Sequence, residues 1–477
     1  MEADMRTQGY FLAGKWRSDG ESLEIRSPFD GDVVAEITRG GPEVLEEAAA
    51  AADRASRRMA RLTPAERGAI LERAAGLIAE QKDQVALAIS EEAGKPISLA
   101  RAETERAIDT FTEAAWVADH PEVTAQDLGG YASAADRLAL VRRFPIGPIL
   151  AITPFNFPLN LVAHKLAPAI AAGCPVVLKP ASQTPGPALF LADILHRAGL
   201  PAGGLSVIPS RGSDAQVLAD DDRFGLLTFT GSMDVGWKLK RLASKRRVTL
   251  ELGGNAAVIV DRDTADLENV AARIAGAAFG YAGQSCISVQ RIISHEDIYI
   301  QLRRLLKQAA EDLPTGNPAD EATICGPLID QANADRVEDW IRRATEAGGR
   351  LVCGSRRSGS LIAPTLLEDV PHEQPVVSDE VFGPVAVLDA FEDFSQALNM
   401  VNDSRYGLQA GIYTSDISKI QMAWETLEVG GIIQADVPTW RSDPMPYGGV
   451  KDSGTGREGP IHTYREMTEE RLLVIKR

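Results

Sequence analysis

The 477-residue chain lacks the features of a secreted, membrane-spanning or nucleic-acid-binding protein. It has only four cysteines, far apart and without a Cys-X-X-Cys pair, which argues against a disulfide framework and against a zinc site. No apolar run approaches the ~20 residues of a membrane helix, and the N-terminus has no apolar signal-peptide core. The net charge of −17 repels nucleic acid and anionic lipid surfaces. We therefore expect a cytoplasmic protein with free thiols, no metal, and neither nucleic acid nor membrane as a partner.

The pattern of apolar residues predicts an α/β protein with more than one domain. The chain is longer than the ~250 to 300 residues at which a single hydrophobic core stops growing. Residues 41–119 have helical spacing, with a capping box at Thr63-Pro64-Ala65-Glu66. Short β-rich runs alternate with helical stretches from 147 to 260 and again from 255 to 436, which is typical of βαβ units around parallel sheets. A last β-type run, Arg471 to Lys476, needs a partner strand.

One Gly-X-Gly-X-X-Gly sequence, formed by Gly454, Gly456 and Gly459, does not fit a dinucleotide-binding fingerprint. That fingerprint needs a strand before it, and a helix and a second strand after it. Asp452-Ser453 precede the motif, and fewer residues follow it than the ~30 of a βαβ unit. We therefore expect a glycine-rich turn at this place.

The most informative short segment is Gly283-Gln284-Ser285-Cys286, whose small and uncharged residues leave the Cys286 thiol accessible. A free thiol has a pKa of about 8.5, so a reactive cysteine needs a neighbouring dipole or cation that lowers this pKa. The sequence does not identify that neighbour. Taken alone, a single cysteine is more often a small buried apolar residue.

Five further segments accompany this thiol. They are Thr153-Pro154-Phe155-Asn156-Phe157-Pro158, Leu178-Lys179-Pro180, Phe229-Thr230-Gly231-Ser232, Glu251-Leu252-Gly253-Gly254 and Glu380-Val381-Phe382-Gly383-Pro384. Together, in this order and at this spacing, the six segments resemble the aldehyde dehydrogenase superfamily over essentially the whole chain. The resemblance is to non-acylating, NAD(P)-dependent members that act on small aldehydes: lactaldehyde, semialdehydes or, without phosphorylation, glyceraldehyde 3-phosphate.

The resemblance implies a fold of three parts. A Rossmann-like cofactor-binding domain would comprise residues 1–127 and 146–253, and an α/β catalytic domain with the thiol would comprise 254–436. A small β oligomerisation arm would comprise 128–145 and 462–477, with 437–461 returning across the cofactor-binding domain. The arm and the tail strand would then form the contacts of a homodimer or homotetramer.

The resemblance also assigns one residue to each requirement of aldehyde oxidation. Cys286 is similar to the family's nucleophile, which adds to the aldehyde to give a thiohemiacetal and, after loss of hydride, a thioester. Asn156 and the Cys286 backbone N–H resemble the oxyanion hole. Glu251 resembles the base that activates the hydrolytic water, and its apolar neighbours predict partial burial and a raised pKa.

A bound NAD or NADP follows from the same resemblance. The residues that it assigns to the cofactor are Thr153, Pro154, Phe155, Lys179, Ser182, Gly231, Ser232, Glu380 and Phe382. Lys179 would hold the adenosine ribose, Glu380 the nicotinamide ribose, and the helix that begins at Gly231-Ser232 the pyrophosphate. Many NAD-preferring relatives have a glutamate at the position of Ser182, so the hydroxyl here leaves either cofactor acceptable.

The aldehyde pocket would be lined, by resemblance, by Phe157, Leu161, His164, Ser285, Ile287 and Arg441. Arg441 is the informative member, because a guanidinium binds a carboxylate, phosphate or sulfonate in a bidentate manner. It indicates a small aldehyde with an anionic or hydroxylated tail, and an exposed or ion-paired arginine is the alternative. We interpret His164 as a packing residue rather than a catalyst.

Two other functions are alternatives to the oxidation of an aldehyde to a free acid. A CoA-acylating relative would transfer the acyl group to CoA, but thiolysis does not need the carboxylate of Glu251. A catalytically silent structural relative would keep the fold alone, but the joint presence of Cys286, Glu251, Asn156 and Lys179 argues against it. Formation of acyl-CoA, or of NADH when an aldehyde is added, distinguishes the three.

Overall fold

The N-terminal part of the chain is helical, as the sequence predicts. In the computed structural model, which describes residues 7–477, the Glu66 N–H donates to the Thr63 hydroxyl and the Thr63 N–H donates to the Glu66 carboxylate. The capping box is therefore confirmed. Gly94 ends the helix Lys82–Ala93 with a φ of 63°, a conformation that glycine adopts without strain.

Fifteen α-helices are present in the described part of the chain. They are Pro42–Arg61, Pro64–Glu80, Lys82–Ala93, Ile97–Asp119, Asn160–Ala172, Gly186–Arg197, Gly212–Gln216, Met233–Leu242, Leu267–Phe279, Glu296–Glu311, Gln331–Glu346, Pro375–Ser378, Phe394–Asn402, Ile417–Thr426 and Pro460–Glu466. Short 3-10 turns cover Ala132–Ala134, Val217–Asp220 and Gly280–Gly283. Within residues 7–477, none of the helices combines the length and apolar character needed to cross a bilayer.

The first large sheet has eight strands. From edge to edge they are Gly454–Thr455, Arg247–Glu251, Leu226–Thr230, Ile149–Ile152, Val176–Lys179, Leu205–Val207, Tyr10–Leu12 and Lys15–Arg17. Five adjacent strands are parallel, and their chain order reverses between Ile149–Ile152 and Leu226–Thr230. Open α/β sheets bind ligands beyond the carboxyl ends of the strands at such a reversal. This topology places a ligand site next to Thr153 and Gly231.

The second large sheet has seven strands. In order they are Arg350–Cys353, Thr365–Glu368, Val385–Phe391, Val289–His295, Ala256–Val260, Gln409–Tyr413 and Gly431–Gln434. All neighbours are parallel except the edge pair Arg350–Cys353 and Thr365–Glu368. The strands Ala256–Val260 and Val289–His295 are buried at every residue, which is typical of parallel sheets covered on both faces. The predicted α/β fold, with a Rossmann-like part and a second parallel sheet, is confirmed.

A third sheet joins the chain's tail to a long strand. Thr468–Lys476 pairs antiparallel with Arg137–Pro145 along its whole length, and Val123–Asp127 pairs with the other edge of that strand. The predicted tail strand therefore exists and has a partner in its own chain. Val123–Asp127 falls within the range expected for the cofactor-binding domain, although it pairs with the arm. The domain limits themselves stay a prediction.

Three small sheets complete the pairing within residues 7–477. They join Thr7–Gln8 and Glu21–Arg26 to Val33–Arg39, Arg357–Ser358 to Leu361–Ile362, and Tyr406–Gly407 to Val450–Lys451.

The Gly-X-Gly-X-X-Gly segment does not begin a βαβ unit, in line with the sequence. The expected turn is partly a strand, because Gly454–Thr455 pairs antiparallel with Leu250 and Glu251. A Cβ at Gly454 would lie 2.1 Å from the Leu250 carbonyl oxygen, so only glycine allows this close approach. The segment thereby brings the residues after Gly456 alongside Glu251.

Candidate active site

A cavity of about 1230 Å³ lies where the two large sheets meet. Residues at or just after the carboxyl ends of the strands Ile149–Ile152, Val176–Lys179 and Leu226–Thr230 line one side. Loops that precede Val289–His295 and Val385–Phe391 line the other. Every residue that the sequence assigns to the site lines this cavity, except His164. The ligand position indicated by the reversal in strand order is therefore a cavity that also contains the thiol.

A turn with unusual backbone geometry places Cys286 in the cavity. Tyr281, Ala282 and Gly283 have φ angles of 51°, 53° and 67°, and a Cβ at Gly283 would lie 2.2 Å from the Gly383 carbonyl oxygen. The buried Gln284 side chain donates to the carbonyls of Tyr281 and Pro327 and accepts from the Ile329 N–H. These bonds fix the turn, which stabilises one position of the sulfur.

The Cys286 sulfur lies 3.0 Å from the Tyr447 hydroxyl oxygen. Burial raises the pKa of this thiol to about 12, although the Tyr447 hydrogen bond and the Arg441 charge act in the opposite direction. The expectation of a lowered pKa is therefore not met, because the desolvation of the sulfur outweighs the nearby cation. The sequence did not identify the neighbours that act to lower the pKa of Cys286. In the structure they are the Tyr447 hydroxyl and the Arg441 guanidinium.

Asn156 is hydrogen-bonded to the turn that carries the nucleophile. Its side-chain nitrogen donates to the Gln284 carbonyl at 3.0 Å, and its side-chain oxygen has no hydrogen-bond partner among the described residues. The amide is buried and therefore held in one orientation by the same turn that carries Cys286. Its second N–H remains able to bind an oxyanion.

Glu251 is the last residue of the strand Arg247–Glu251 and is fully buried rather than partly buried. Neither carboxyl oxygen has a hydrogen-bond partner within residues 7–477. Burial and the nearby charge of Glu458 raise the pKa of Glu251 well above its ordinary value. A buried carboxyl group with a raised pKa and no hydrogen-bond partner among the described residues is suited to general acid–base work.

The other end of the cavity has the features of a dinucleotide site. The Lys179 ammonium makes no hydrogen bond or ion pair with the described residues, and burial, with the charge of Arg39, lowers its pKa to about 8. Ser232 precedes the helix Met233–Leu242 without capping it, so the first N–H groups of the helix are open to an anion. These groups fit the ribose and pyrophosphate of NAD(P).

Glu380 and Phe382 line the middle of the cavity. One Glu380 oxygen accepts from the Gly254 N–H at 3.1 Å, and burial raises the pKa of this carboxyl group to about 7. The Phe382 ring meets the Phe155 ring edge-on at 5.8 Å. A Cβ at Gly253 would lie 2.4 Å from the Glu380 carboxylate, so this glycine keeps the space beside it free.

His164 does not line the cavity, contrary to its inclusion among the substrate residues. Its ring is fully buried, with Nε2 2.8 Å from Asp443 and 3.3 Å from an Arg441 nitrogen. Its ring nitrogen is instead engaged by the buried Asp443 and by Arg441. The interpretation of His164 as a packing residue agrees with this position.

Several residues of the site are not predicted from the sequence. Arg106 lines the cavity with its guanidinium bound to Asp443 at 2.8 Å, and Arg441 lies 3.7 Å above the Tyr447 ring. Beside Glu251, the buried Lys165 and Glu458 form an ion pair of 3.0 Å. A lysine within a mostly apolar helix is a signal for Lys165, whereas nothing local distinguishes Arg106 from other surface arginines.

The chain is similar to known proteins over almost its full length. The family model described as the aldehyde dehydrogenase family matches residues 16–473. A 3-sulfolactaldehyde dehydrogenase of Priestia aryabhattai is 40% identical, with 99% of this chain and 98% of that protein covered. The succinate-semialdehyde dehydrogenase [NADP(+)] of Escherichia coli is 35% identical, with 99% of each chain covered.

A solved structure gives the same result. Aldehyde dehydrogenase 21 from Physcomitrella patens, in complex with the reaction product succinate, superposes with a TM-score of 0.96 and is 42% identical. The match covers 99% of this chain and 98% of that one. The cavity contains the thiol, the acid and the dinucleotide features at the positions that the sequence motifs indicate. The chain therefore belongs to the aldehyde dehydrogenase family and is an NAD(P)-dependent aldehyde dehydrogenase.

Proposed function

We propose that this enzyme oxidises a small aldehyde with an anionic tail to the carboxylate, through a thioester on Cys286. One observation carries the proposal: Cys286, Asn156 and Glu251 line the same cavity as Lys179 and Glu380. A nucleophile, a donor for an oxyanion and a base are thus within one space that also has the residues for a dinucleotide.

The first step is addition of the Cys286 thiolate to the aldehyde carbon. A carbon–sulfur bond forms, and the carbonyl oxygen becomes an alkoxide that needs hydrogen-bond donors. Asn156 offers its free N–H from a fixed position, and the Cys286 backbone N–H is the second donor. When bound, NAD(P) supplies the hydride acceptor that turns this adduct into a thioester. Lys179, Ser232 and Glu380 would hold it.

The second step is hydrolysis of the thioester. Glu251 removes a proton from a water molecule as the water oxygen attacks the acyl carbon, and the carbon–sulfur bond breaks. The products are the carboxylic acid and the Cys286 thiol. The buried carboxyl of Glu251 has no competing partner among the described residues, which supports this role. It also argues against acyl transfer to CoA, which needs no activated water.

The substrate end of the cavity supports an anionic tail. Arg106 and Arg441 both line it, and the Arg106 guanidinium is the more exposed of the two. The Arg441 guanidinium stacks on the Tyr447 ring and lies 3.8 Å from the Glu458 carboxylate. The alternative of an ion-paired arginine, considered from the sequence, therefore applies to Arg441 in part. Arg106 pairs with Asp443 through Nε and one terminal nitrogen, and its other terminal nitrogen makes it the better candidate for a charged contact with a carboxylate or sulfonate. The sulfolactaldehyde and succinate of the relatives both have such tails.

We also propose a cytoplasmic homodimer or homotetramer. A catalytic thiol must stay reduced, and all four cysteines are free. The outer strand Thr468–Lys476 exposes Leu472, Leu473, Val474 and Ile475, and its outer edge pairs with no strand of residues 7–477, which suits a contact with a second copy. Gel filtration at working concentration tests the assembly, and a stable active monomer would contradict it.

The test of the proposed function is aldehyde-dependent formation of NADH or NADPH. A panel should contain sulfonated, carboxylated, phosphorylated and uncharged small aldehydes. We expect turnover to be lost in Cys286→Ala and Cys286→Ser, while Cys353→Ser, outside the cavity, keeps wild-type turnover. Unchanged oxidation after replacement of Cys286 would refute the thioester pathway, and acyl-CoA formation on addition of CoA would refute hydrolysis.

A further inference from the structure

The Tyr447 hydroxyl has a position that the reaction described above does not use. Its oxygen lies 3.0 Å from the Cys286 sulfur, and it is the one hydrogen-bonding group of residues 7–477 in contact with that sulfur. The ring is buried against Ile287 and Leu408. Backbone hydrogen bonds between Tyr447 and Glu458 hold the residue in place. The hydroxyl is therefore directed at the reacting atom by a rigid segment.

One face of the Tyr447 ring contacts a cation. The Arg441 guanidinium carbon lies 3.7 Å from the ring centre, within the range of a cation–π interaction. A positive charge over the ring withdraws electron density from the phenol oxygen, which makes its O–H a stronger hydrogen-bond donor. Arg441 thus acts on the sulfur through Tyr447 in addition to its own charge.

We propose that Tyr447 is a catalytic residue that donates a hydrogen bond to the Cys286 thiolate, and that Arg441 strengthens this bond by stacking on the phenol ring. The tyrosine proton stays on oxygen throughout, so the bond stabilises the charge on sulfur without proton transfer. The proposal rests on the proposed role of Cys286 as the nucleophile.

The direction of the hydrogen bond follows from the two groups involved. Burial and the proximity of Cys286 raise the pKa of Tyr447 well above its ordinary value, so the phenol remains protonated over the working pH range. A thiolate can only accept. The hydroxyl must therefore donate whenever the sulfur is charged.

A hydrogen-bond donor to the Cys286 sulfur offsets effects that disfavour the thiolate. Burial raises the pKa of Cys286 to about 12, and the Glu380 and Glu251 carboxylates act in the same direction. The Arg441 guanidinium, which lies over the Tyr447 ring, and the phenol hydrogen bond act against these effects. Without Tyr447 the thiolate would lose its direct donor, and the fraction of reactive sulfur would fall.

The alternative is that Tyr447 only fills space beside Ile287 and Leu408. Tyr447→Phe separates the two possibilities, because it keeps the ring and the stacking surface and removes the hydroxyl. The pH dependence of Cys286 alkylation by iodoacetamide, measured without aldehyde or cofactor, reports the thiolate directly. Cys286→Ser gives the background of the other three cysteines, and Tyr464→Phe is the control for loss of a buried phenol outside the cavity.

We expect Tyr447→Phe to raise the apparent pKa of alkylation by about one unit, which lowers the alkylation rate at pH 7 about tenfold. Tyr464→Phe should leave the profile unchanged. An unchanged profile in a folded Tyr447→Phe protein would overturn the proposal. Since the variant could be unstable, 3-fluorotyrosine at position 447 provides a second measurement. Fluorine makes the phenol a stronger donor, so the alkylation pKa should fall, and no change or a rise would also overturn the proposal.

The proposed function and the proposed role of Tyr447 are contradicted by different results. If Cys286→Ser keeps aldehyde oxidation, the proposed function is wrong whatever Tyr447 does. If Cys286→Ser abolishes oxidation but alkylation is insensitive to the Tyr447 hydroxyl, the function stands and the role of Tyr447 is wrong.

In Arg441→Gln, the effect of removing the Tyr447 hydroxyl should be smaller than in the wild-type background, because the cation over the ring is gone.

Discussion

The ammonium nitrogen of Lys165 lies 3.0 Å from a carboxylate oxygen of Glu458, and both side chains are buried beside the cavity. Burial acts to raise the pKa of Glu458, but the charges of Lys165, His164 and Arg441 and the Lys165 hydrogen bond together outweigh burial and lower that pKa to about 2. The ionised Glu458 adds to the effect of burial in raising the pKa of Glu251. The pKa values of these two adjacent buried carboxyl groups are therefore moved in opposite directions, as in many acid–base sites.

Glu458→Gln should shift the pH profile of thioester hydrolysis to lower pH. Only the ionised form of Glu251 can act as a base, so hydrolysis becomes faster as pH rises through the pKa of Glu251. The substitution removes the negative charge that raises this pKa, which moves the rising limb downward by about one unit. Single-turnover deacylation between pH 5 and 9 measures the limb. Glu373→Gln, on an exposed residue, is the control and should leave it unchanged.

Glu251→Gln should retain acylation and lose hydrolysis. Cys286 and Asn156 are untouched, so one equivalent of NAD(P)H per active site should form in a burst. Steady-state turnover should fall about 10²- to 10⁴-fold, the usual contribution of a general base. Mass spectrometry of the quenched enzyme should show the acyl group on Cys286. A variant that turns over steadily at the wild-type rate would exclude Glu251 as the base.

Ser182→Glu should convert the cofactor site to one that rejects NADP. Ser182 lines the cavity close to Lys179, and the charge that acts on that lysine is the positive one of Arg39. We expect the wild-type enzyme to use NADP. A carboxylate at 182 would repel the 2′-phosphate and lower kcat/KM with NADP at least about tenfold, with a smaller change for NAD. Ser182→Ala controls for loss of the hydroxyl. Strict rejection of NADP by the wild type would contradict this account.

Arg106→Ala should weaken the binding of anionic aldehydes selectively. The guanidinium is partly exposed to the cavity, and a charge-assisted contact of this kind is worth about 1.5 to 3 kcal/mol. KM for a sulfonated or carboxylated aldehyde should therefore rise about 10- to 100-fold, while KM for an uncharged aldehyde of similar length changes little. Arg101→Ala, on the same helix but outside the cavity, is the matched control. Equal effects on both substrates would remove Arg106 from substrate recognition.

Glu92 makes the stability of the fold depend on pH. This buried residue accepts a hydrogen bond from the Gly186 N–H at 3.1 Å, and burial raises its pKa from 4.5 to about 8. Because the folded pKa is higher than the unfolded one, the stabilising effect is complete below about pH 4.5 and is lost as pH rises through 8. Glu92→Gln should therefore show a smaller fall in Tm between pH 5 and 9 than the wild type. Parallel Tm profiles for the two proteins would contradict this.

Local features of the fold are well predicted by the sequence. The capping box at Thr63 forms as expected, and helices cover most of the range 41–119. Such features depend on contacts within one or two turns, so the local residues suffice to specify them. The sequence predicts a turn at Gly454–Thr455, whereas the structure has an edge strand there. The partner strand lies about 200 residues away in the chain, so no local pattern reveals the pairing.

The features of the active site also divide into those that the sequence specifies and those that depend on the tertiary structure. Amino-acid order alone determined the motif residues that line the cavity, because a thiol, a strand-end lysine or a helix-start glycine keeps its chemistry wherever the chain carries it. Tertiary structure decided which charges surround them. The raised pKa of Cys286, the Lys165–Glu458 pair and the contact between Tyr447 and the sulfur join residues far apart in sequence. Burial and electrostatic coupling depend on distance in space, and no pattern along the chain contains that distance.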